Sequence, residues 1–271
     1  MAKELTLKIE YGTTAAEFNL ENSQLFSLKR NGVDVMWPGG APKADRPKEG
    51  WQNSWIKMFP VVGLPLEGRL LIDGTYYPMA QHGIARDLPF KAVQSDPKSV
   101  TFEQVYEGGQ KVLSSKGTVS LFPRSYRLTQ TYTVGWGVLG FASTLENTSE
   151  KDLPYATGEH PAFIALEHST IEILRREKTI REVSLENVRE ADGNVLEFPD
   201  NATVIYRTPA FQLMLNHQFG NTQIWHKEKC VAIEPITNFS LSRHPNSQEN
   251  YKLLRRGEKI THSGIIDIRT V

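Results

Sequence analysis

The feature that most constrains this chain is a period-two alternation of apolar and polar residues that recurs from end to end. Leu5, Leu7, Ile9 and Tyr11 fall on one face of a strand, and Tyr126, Leu128, Gln130 and Tyr132 repeat the pattern. Successive side chains of a strand point to opposite faces, so such runs bury one face and wet the other, whereas the three-to-four-residue stripes of helices are scarce here. Asn31-Gly32 and Asp73-Gly74 each lie between alternating runs. Both dipeptides tolerate positive φ, the requirement of a tight hairpin turn. Strand-like runs also cover 100–106, 117–122, 203–206, 211–215 and 231–234, which predicts at least a dozen strands and an all-β fold. Glu182 to Glu190 is the best helix candidate, though its apolar spacing equally suits a twisted strand or an irregular loop.

Turn residues are spread evenly, with no internal repeat, low-complexity tract or charge block to mark a linker, so residues 1–271 are expected to form a single domain. Trp37 to Gly63 stands apart, with three Trp and four Pro among few alternating apolar residues. It reads as a long ordered loop, either lining a site or covering an open end of a sandwich.

Composition narrows the partner. The 31 basic residues balance 31 acidic ones, so no long-range field gathers nucleic acid or an anionic membrane surface, and a small, largely neutral ligand fits better. Cys230 is the sole cysteine, which rules out an intrachain disulfide and a thiolate metal cluster. The first residues lack the apolar core of a signal peptide, and no stretch approaches the roughly 18 apolar residues of a membrane span, so a cytoplasmic location is expected.

No Gly-rich phosphate loop, Gly-x-Ser-x-Gly elbow, His-Glu-x-x-His pattern or His-x-His pair is present. Histidine and carboxylate remain, concentrated in Gln81-His82-Gly83-Ile84-Ala85-Arg86-Asp87, in Gly158-Glu159-His160-Pro161-Ala162-Phe163 and in Val231-Ala232-Ile233-Glu234-Pro235. Flanking Gly or Pro interrupts a sheet ladder, which predicts that His82, His160 and Glu234 project at strand ends or turns. Each histidine taken alone reads more readily as a structural, hydrogen-bonded residue; it is the three segments together that point to a site. The remaining histidines, 168, 217, 226, 244 and 262, lack such context and read as structural or solvated. The pairs Arg175-Arg176 and Arg255-Arg256 read as solvated faces rather than phosphate clamps.

These three segments and Phe59-Pro60-Val61-Val62-Gly63 resemble, in the same order, signature stretches of bacterial aldose 1-epimerase (galactose mutarotase-like) proteins, typically F-P-I-V-G-R, Q-H-G-F-A-R-D, G-G-H-P-A-F-N and C-I-E-P-W. The resemblance spans about residues 59 to 240. It implies a β-supersandwich of large, mainly antiparallel sheets with a monosaccharide held in a cleft on one sheet. It also implies His160 as general acid, Glu234 as general base, and His82 and Arg86, with Gln81 of the same segment, as substrate-binding residues. A sugar-binding aspartate of the family has no clear counterpart, Asp200 being a weak candidate. Leu64 stands where arginine is usual, Ile164 where asparagine is, and Ile236 where tryptophan is, and all three are expected to touch substrate contacts. Arg69 is a candidate to reach the space left by Leu64. Trp225 suits stacking on the apolar face of a sugar and suits a core position equally well.

The chemistry of these residues agrees. Interconverting anomers needs a base for the anomeric hydroxyl proton and an acid for the ring oxygen, and histidine exchanges protons near neutrality. Ring opening, rotation about C1–C2 and reclosure need only proton transfer, so no metal or other cofactor is expected. The expected function is cofactor-independent anomer interconversion of an aldohexose or close derivative. The rival is non-catalytic carbohydrate binding, which has no need of an acid and a base together. Glycoside hydrolysis needs two opposed carboxyl groups, for which Asp87 and Glu234 are the pair available.

Overall fold

The computed structural model describes residues 6–37, 54–114, 117–244 and 251–271. Antiparallel strands dominate, and the chain adopts the expected all-β supersandwich built on two large sheets. Among the described residues the first has nine strands, in spatial order Lys178–Ser184, Thr170–Arg175, Thr203–Arg207, Phe211–His217, Lys259–Thr270, Val138–Asn147, Tyr126–Gly135, Ser99–Tyr106 and Lys91–Asp96. The second runs Val195–Pro199, Asn221–Lys227, Cys230–Ile236, Gly158–His160 and Ile56–Met58, with Ala162–Ile164 also paired to Cys230–Ile236.

The alternation carries the nine-stranded sheet. Tyr126, Leu128, Gln130 and Tyr132 are all buried on its inner face, and across the strand pairing Leu139, Phe141, Ser143 and Leu145 are buried with them. Several aromatic rings of this layer pack edge-on or tilted, as with Phe18 against Tyr132 at 4.8 Å and Trp55 against Phe141 at 4.9 Å, while Tyr106 and Tyr126 stack at 5.3 Å. Both predicted hairpin turns form: Asn31 and Gly32 have φ of 51° and 80°, Asp73 and Gly74 of 49° and 76°. Tyr11, however, is exposed, so the apolar face of Thr6–Tyr11 ends at Ile9.

Two regions resolve differently from the sequence expectation. The 182–190 stretch is split: Lys178–Ser184 ends as a strand, and Leu185–Glu190 is the α-helix found among the described residues. Ser184 accepts a hydrogen bond from the Asn187 N–H while the Asn187 side chain accepts from the Ser184 N–H, a reciprocal cap that fixes where the helix starts. Within the segment expected as one long loop, residues 38–53 lie outside the described residues, and Ile56–Met58 is a strand of the second sheet. Three residues buried on both faces show no alternation to read. No helix among the described residues is long and apolar enough to cross a membrane.

Candidate active site

The second sheet has one face toward the nine-stranded sheet and the other toward a cleft of about 380 Å³. Its central feature is a register relation. Gly158 pairs with Ile236 and Ala162 with Ala232, so His160 and Glu234 stand opposite each other at the intervening position, where Pro161 interrupts the ladder. Their side chains meet in the cleft floor, His160 Nε2 lying 3.5 Å from Glu234 Oε1. Glu234 is therefore not at a strand end, as its flanking proline suggested, but inside Cys230–Ile236. A proline without an N–H is tolerated where the ladder is already interrupted.

On the far side of Glu234, the Asn221–Lys227 strand places Gln223 in direct register, and its Nε2 donates to Glu234 Oε2 at 3.1 Å. The Gln223 Oε1 is buried without a hydrogen-bond partner among the described residues. Two residues along, Trp225 is half-buried in the cleft wall with its ring centroid 6.2 Å from that of His160. Trp225 is thus a cleft residue, and Gln223 a site residue that the sequence reading missed. The hairpin joining the two strands turns at Glu228-Lys229, a dipeptide with none of the usual turn preference, so the register that brings Gln223 to Glu234 had no local signal.

His82 enters from a loop whose shape is dictated by Gly83. That residue has φ of +78°, and a Cβ there would lie 2.1 Å from the Phe59 carbonyl oxygen, so only glycine admits the bridge between Phe59 and Gly83. The Gly63 N–H donates to His82 Nδ1 at 3.1 Å, which leaves Nε2 as the protonated nitrogen of the neutral ring. The His82 and His160 rings meet edge to face, with centroids 5.4 Å apart. Gln81 and Leu64 line the same side, and Ser240, Ser242 and Arg243 complete the rim. Arg243 is engaged with Glu197 at 3.2 Å.

Other candidates fall elsewhere. Arg86 is buried beside Asp87, with Nε 3.5 Å from Oδ2, off the cleft lining but near enough for its charge to act on His160, and Asp87 does not line the cleft, so Asp87 and Glu234 do not form an opposed carboxyl pair across it. Arg69 pairs with Glu67 and stacks over Tyr76, and Asp200 pairs with Arg175 at the exposed surface. Of the three departures from the family wording, Leu64 alone lines the cleft. Ile164 pairs with Cys230 and Ile236 is fully buried in the core. His217, His226 and His262 are buried outside the cleft, and His168 and His244 also lie outside it. Arg175 and Arg256 form exposed ion pairs with Asp200 and Glu150.

Burial governs the protonation of the central pair. It pushes the Glu234 carboxyl up to about 8, against the Gln223 hydrogen bond, which favours the ionised form. It holds His160 down at about 4, with the Arg86 charge acting in the same direction and a backbone hydrogen bond opposing it. Both shifts disfavour charge, so burial opposes an ion pair across the 3.5 Å contact. Among the described residues no group of three His, Cys, Asp or Glu side chains is placed to hold a metal ion.

Residues 64–188 match the family model described as aldose 1-epimerase. The match includes Gln81, His82, Arg86 and His160 and ends before Glu234. No curated protein matches the sequence. Among solved structures, a galactose mutarotase-like protein from Lactobacillus casei superposes with a TM-score of 0.77 at 19% identity, covering 97% of this chain and 100% of that one. A galactose mutarotase related enzyme from Lactobacillus acidophilus has the same TM-score at 16% identity, covering 97% of each chain. Galactose 1-epimerase from Lactobacillus acidophilus superposes at 0.63 with 9% identity, covering 98% of each. The fold is that of the galactose mutarotase-like proteins.

Proposed function

We propose that this chain is a mutarotase of the aldose 1-epimerase family, interconverting the α and β anomers of an aldohexose or close derivative. The observation that carries the reading is the cross-strand pairing of His160 with Glu234 on the cleft floor, 3.5 Å apart. The anomeric hydroxyl and the ring oxygen of a pyranose are bonded to the same carbon. An acid and a base that serve them must stand side by side, and these two do.

Glu234 takes the anomeric proton and His160 gives one to the ring oxygen; C1–O5 breaks, the open aldehyde turns about C1–C2, and reclosure returns both protons. The resting proton lies on Glu234, and the working state needs it on His160. A sugar that donates its anomeric hydroxyl to Glu234 and accepts from His160 at its ring oxygen stabilises that tautomer without a proton from solvent. Gln223 holds the carboxylate in place through its amide, and its unpartnered Oε1 accepts a sugar hydroxyl. His82 donates through Nε2, and Trp225 offers its ring to the apolar face of the sugar.

Anomer exchange followed by NMR, together with calorimetric affinity for the same sugar, tests the reading. Glu234→Gln and His160→Asn are each expected to slow exchange by roughly 10²-fold or more, the usual scale for a general acid or base, with affinity much less affected. Exchange is expected to survive exhaustive chelation, because proton transfer alone completes the reaction. A wild-type rate in Glu234→Gln removes Glu234 as the base. A wild-type chain that binds sugars and exchanges none is a carbohydrate-binding protein.

A further inference from the structure

The residue beside His160 points the other way. Strand neighbours face opposite sides of a sheet, so while His160 lies in the cleft, Glu159 projects toward the nine-stranded sheet. Its carboxylate is enclosed: Lys57 Nζ donates to Oε1 at 2.8 Å, Trp55 Nε1 to Oε2 at 2.9 Å and Gln130 Nε2 to Oε2 at 3.4 Å. The Lys57 and Glu159 side chains are 1% and 2% exposed, and Lys57 is Glu159's register partner on the adjoining strand. Gln130 belongs to the nine-stranded sheet, and its own carbonyl accepts from Ser23 at 2.7 Å. Glu159 thereby ties the catalytic strand to its neighbour and to the sheet behind it.

A buried ion pair is a poor source of stability, since apolar side chains of similar volume commonly serve as well or better. What it does supply is direction. Gly158–His160 is three residues long, and its pairing to Cys230–Ile236 is limited to Gly158 with Ile236. The segment is paired to Ile56–Met58 over all three residues, so beyond Gly158 it is held along one edge only, and a roll about that edge would swing the His160 imidazole away from Glu234. Three donors fixed on the opposite face prevent that roll.

We propose that Lys57 and Glu159 are positioning residues, whose buried pair sets the orientation of His160 against Glu234. The inference rests on the acid–base reading above, and its test separates the two. The full chain carrying Lys57→Met together with Glu159→Leu loses both charges at similar volume and leaves neither one uncompensated. Its melting temperature is expected to fall modestly, because Trp55 Nε1 and Gln130 Nε2 lose the acceptor that Glu159 gives them. The His160 ring resonances, read without sugar on nitrogen-labelled protein, are expected to shift or split. For anomer exchange, kcat is expected to fall at least tenfold while KM stays within twofold. A merely structural pair would change the melting temperature and leave the resonance and the rate of the folded protein alone. Either of those two readings at its wild-type value overturns the proposal. If the double variant does not fold, Glu159→Gln, which keeps an acceptor for Lys57, decides by the same two readings. If the wild-type chain exchanges no anomers, the mutarotase reading falls and the His160 resonance alone decides whether the pair positions it.

Discussion

At the residue scale the site is governed by desolvation. Glu234 and His160 are shifted in opposite directions for the same reason, which is that the fold withdraws both from water. With the carboxyl raised to about 8 and the imidazole held down at about 4, the exchange rate is expected to be level between those values and to fall on either side. Stability follows with a definite sign. A carboxyl raised from 4.5 to about 8 binds its proton more tightly folded than unfolded, so its contribution is fully present below 4.5 and is lost as pH rises through about 8. Glu234→Gln cannot ionise. Its stability relative to wild type is therefore expected to increase from pH 4.5 to about 8 and level off above, as measured by denaturant midpoints at stepped pH. A difference that stays constant across that range shows that Glu234 ionises as it does in water. None of this was legible in the sequence, where His160 and Glu234 appear as residue types beside Gly and Pro. Their mutual contact depends on a register that no local signal specifies.

Elements were legible in proportion to how much pattern each could display. Tyr126–Gly135 is ten residues long and wet on one face, so its alternation is explicit. Ile56–Met58 and Gly158–His160 are three residues each and buried throughout, so they have none, although they carry the site. The Asn31-Gly32 and Asp73-Gly74 turns announced their hairpins, whereas the Glu228-Lys229 turn of the hairpin that bears Gln223 and Glu234 did not. The His82 loop is a third case, legible as a glycine-bearing segment but not as to why. Gly83 combines a positive φ with the Phe59 carbonyl in the space of its Cβ, whereas Gly74, at φ of +76°, has nothing within 4 Å. Gly83→Ala is therefore expected to lose roughly 1–3 kcal/mol through strain and clash, with weakened sugar affinity as His82 shifts. Gly74→Ala, as a control, bears the φ strain alone and should destabilise less while leaving affinity at its wild-type value. Urea midpoints and calorimetry on the two variants check this. Equal losses of stability would show that the Phe59 contact relaxes.

At the scale of the whole molecule, the order of strands in space departs furthest from their order in the chain. Lys259–Thr270 occupies the middle of the nine-stranded sheet, paired to Val138–Asn147 on one side and to Phe211–His217 on the other. It joins two blocks that lie earlier in the chain, 91–147 and 170–217, and that share no other ladder within this sheet among the described residues. The fit is close: Gly264 lies where a Cβ would come within 2.3 Å of the Phe141 ring and 2.9 Å of the Asn216 carbonyl, so the strand passes beneath an aromatic side chain with no room for its own. Ile266 and Ile268 of this strand are buried in the core. Removing residues 258–271 would expose the ladder edges of both neighbouring strands together with Leu139, Phe141, Leu213 and Leu215. A chain so shortened is expected to lose cooperative unfolding and near-ultraviolet circular dichroism, and to aggregate through the two exposed edges. Because the native sheet closes only when this distant strand arrives, refolding of the full chain should also be slow, in the range of all-β folds rich in non-local pairings. Both expectations come from the same strand. A truncated chain that still unfolds in one sharp transition would show that the two blocks hold together through the second sheet, and that the central strand is not what unites them.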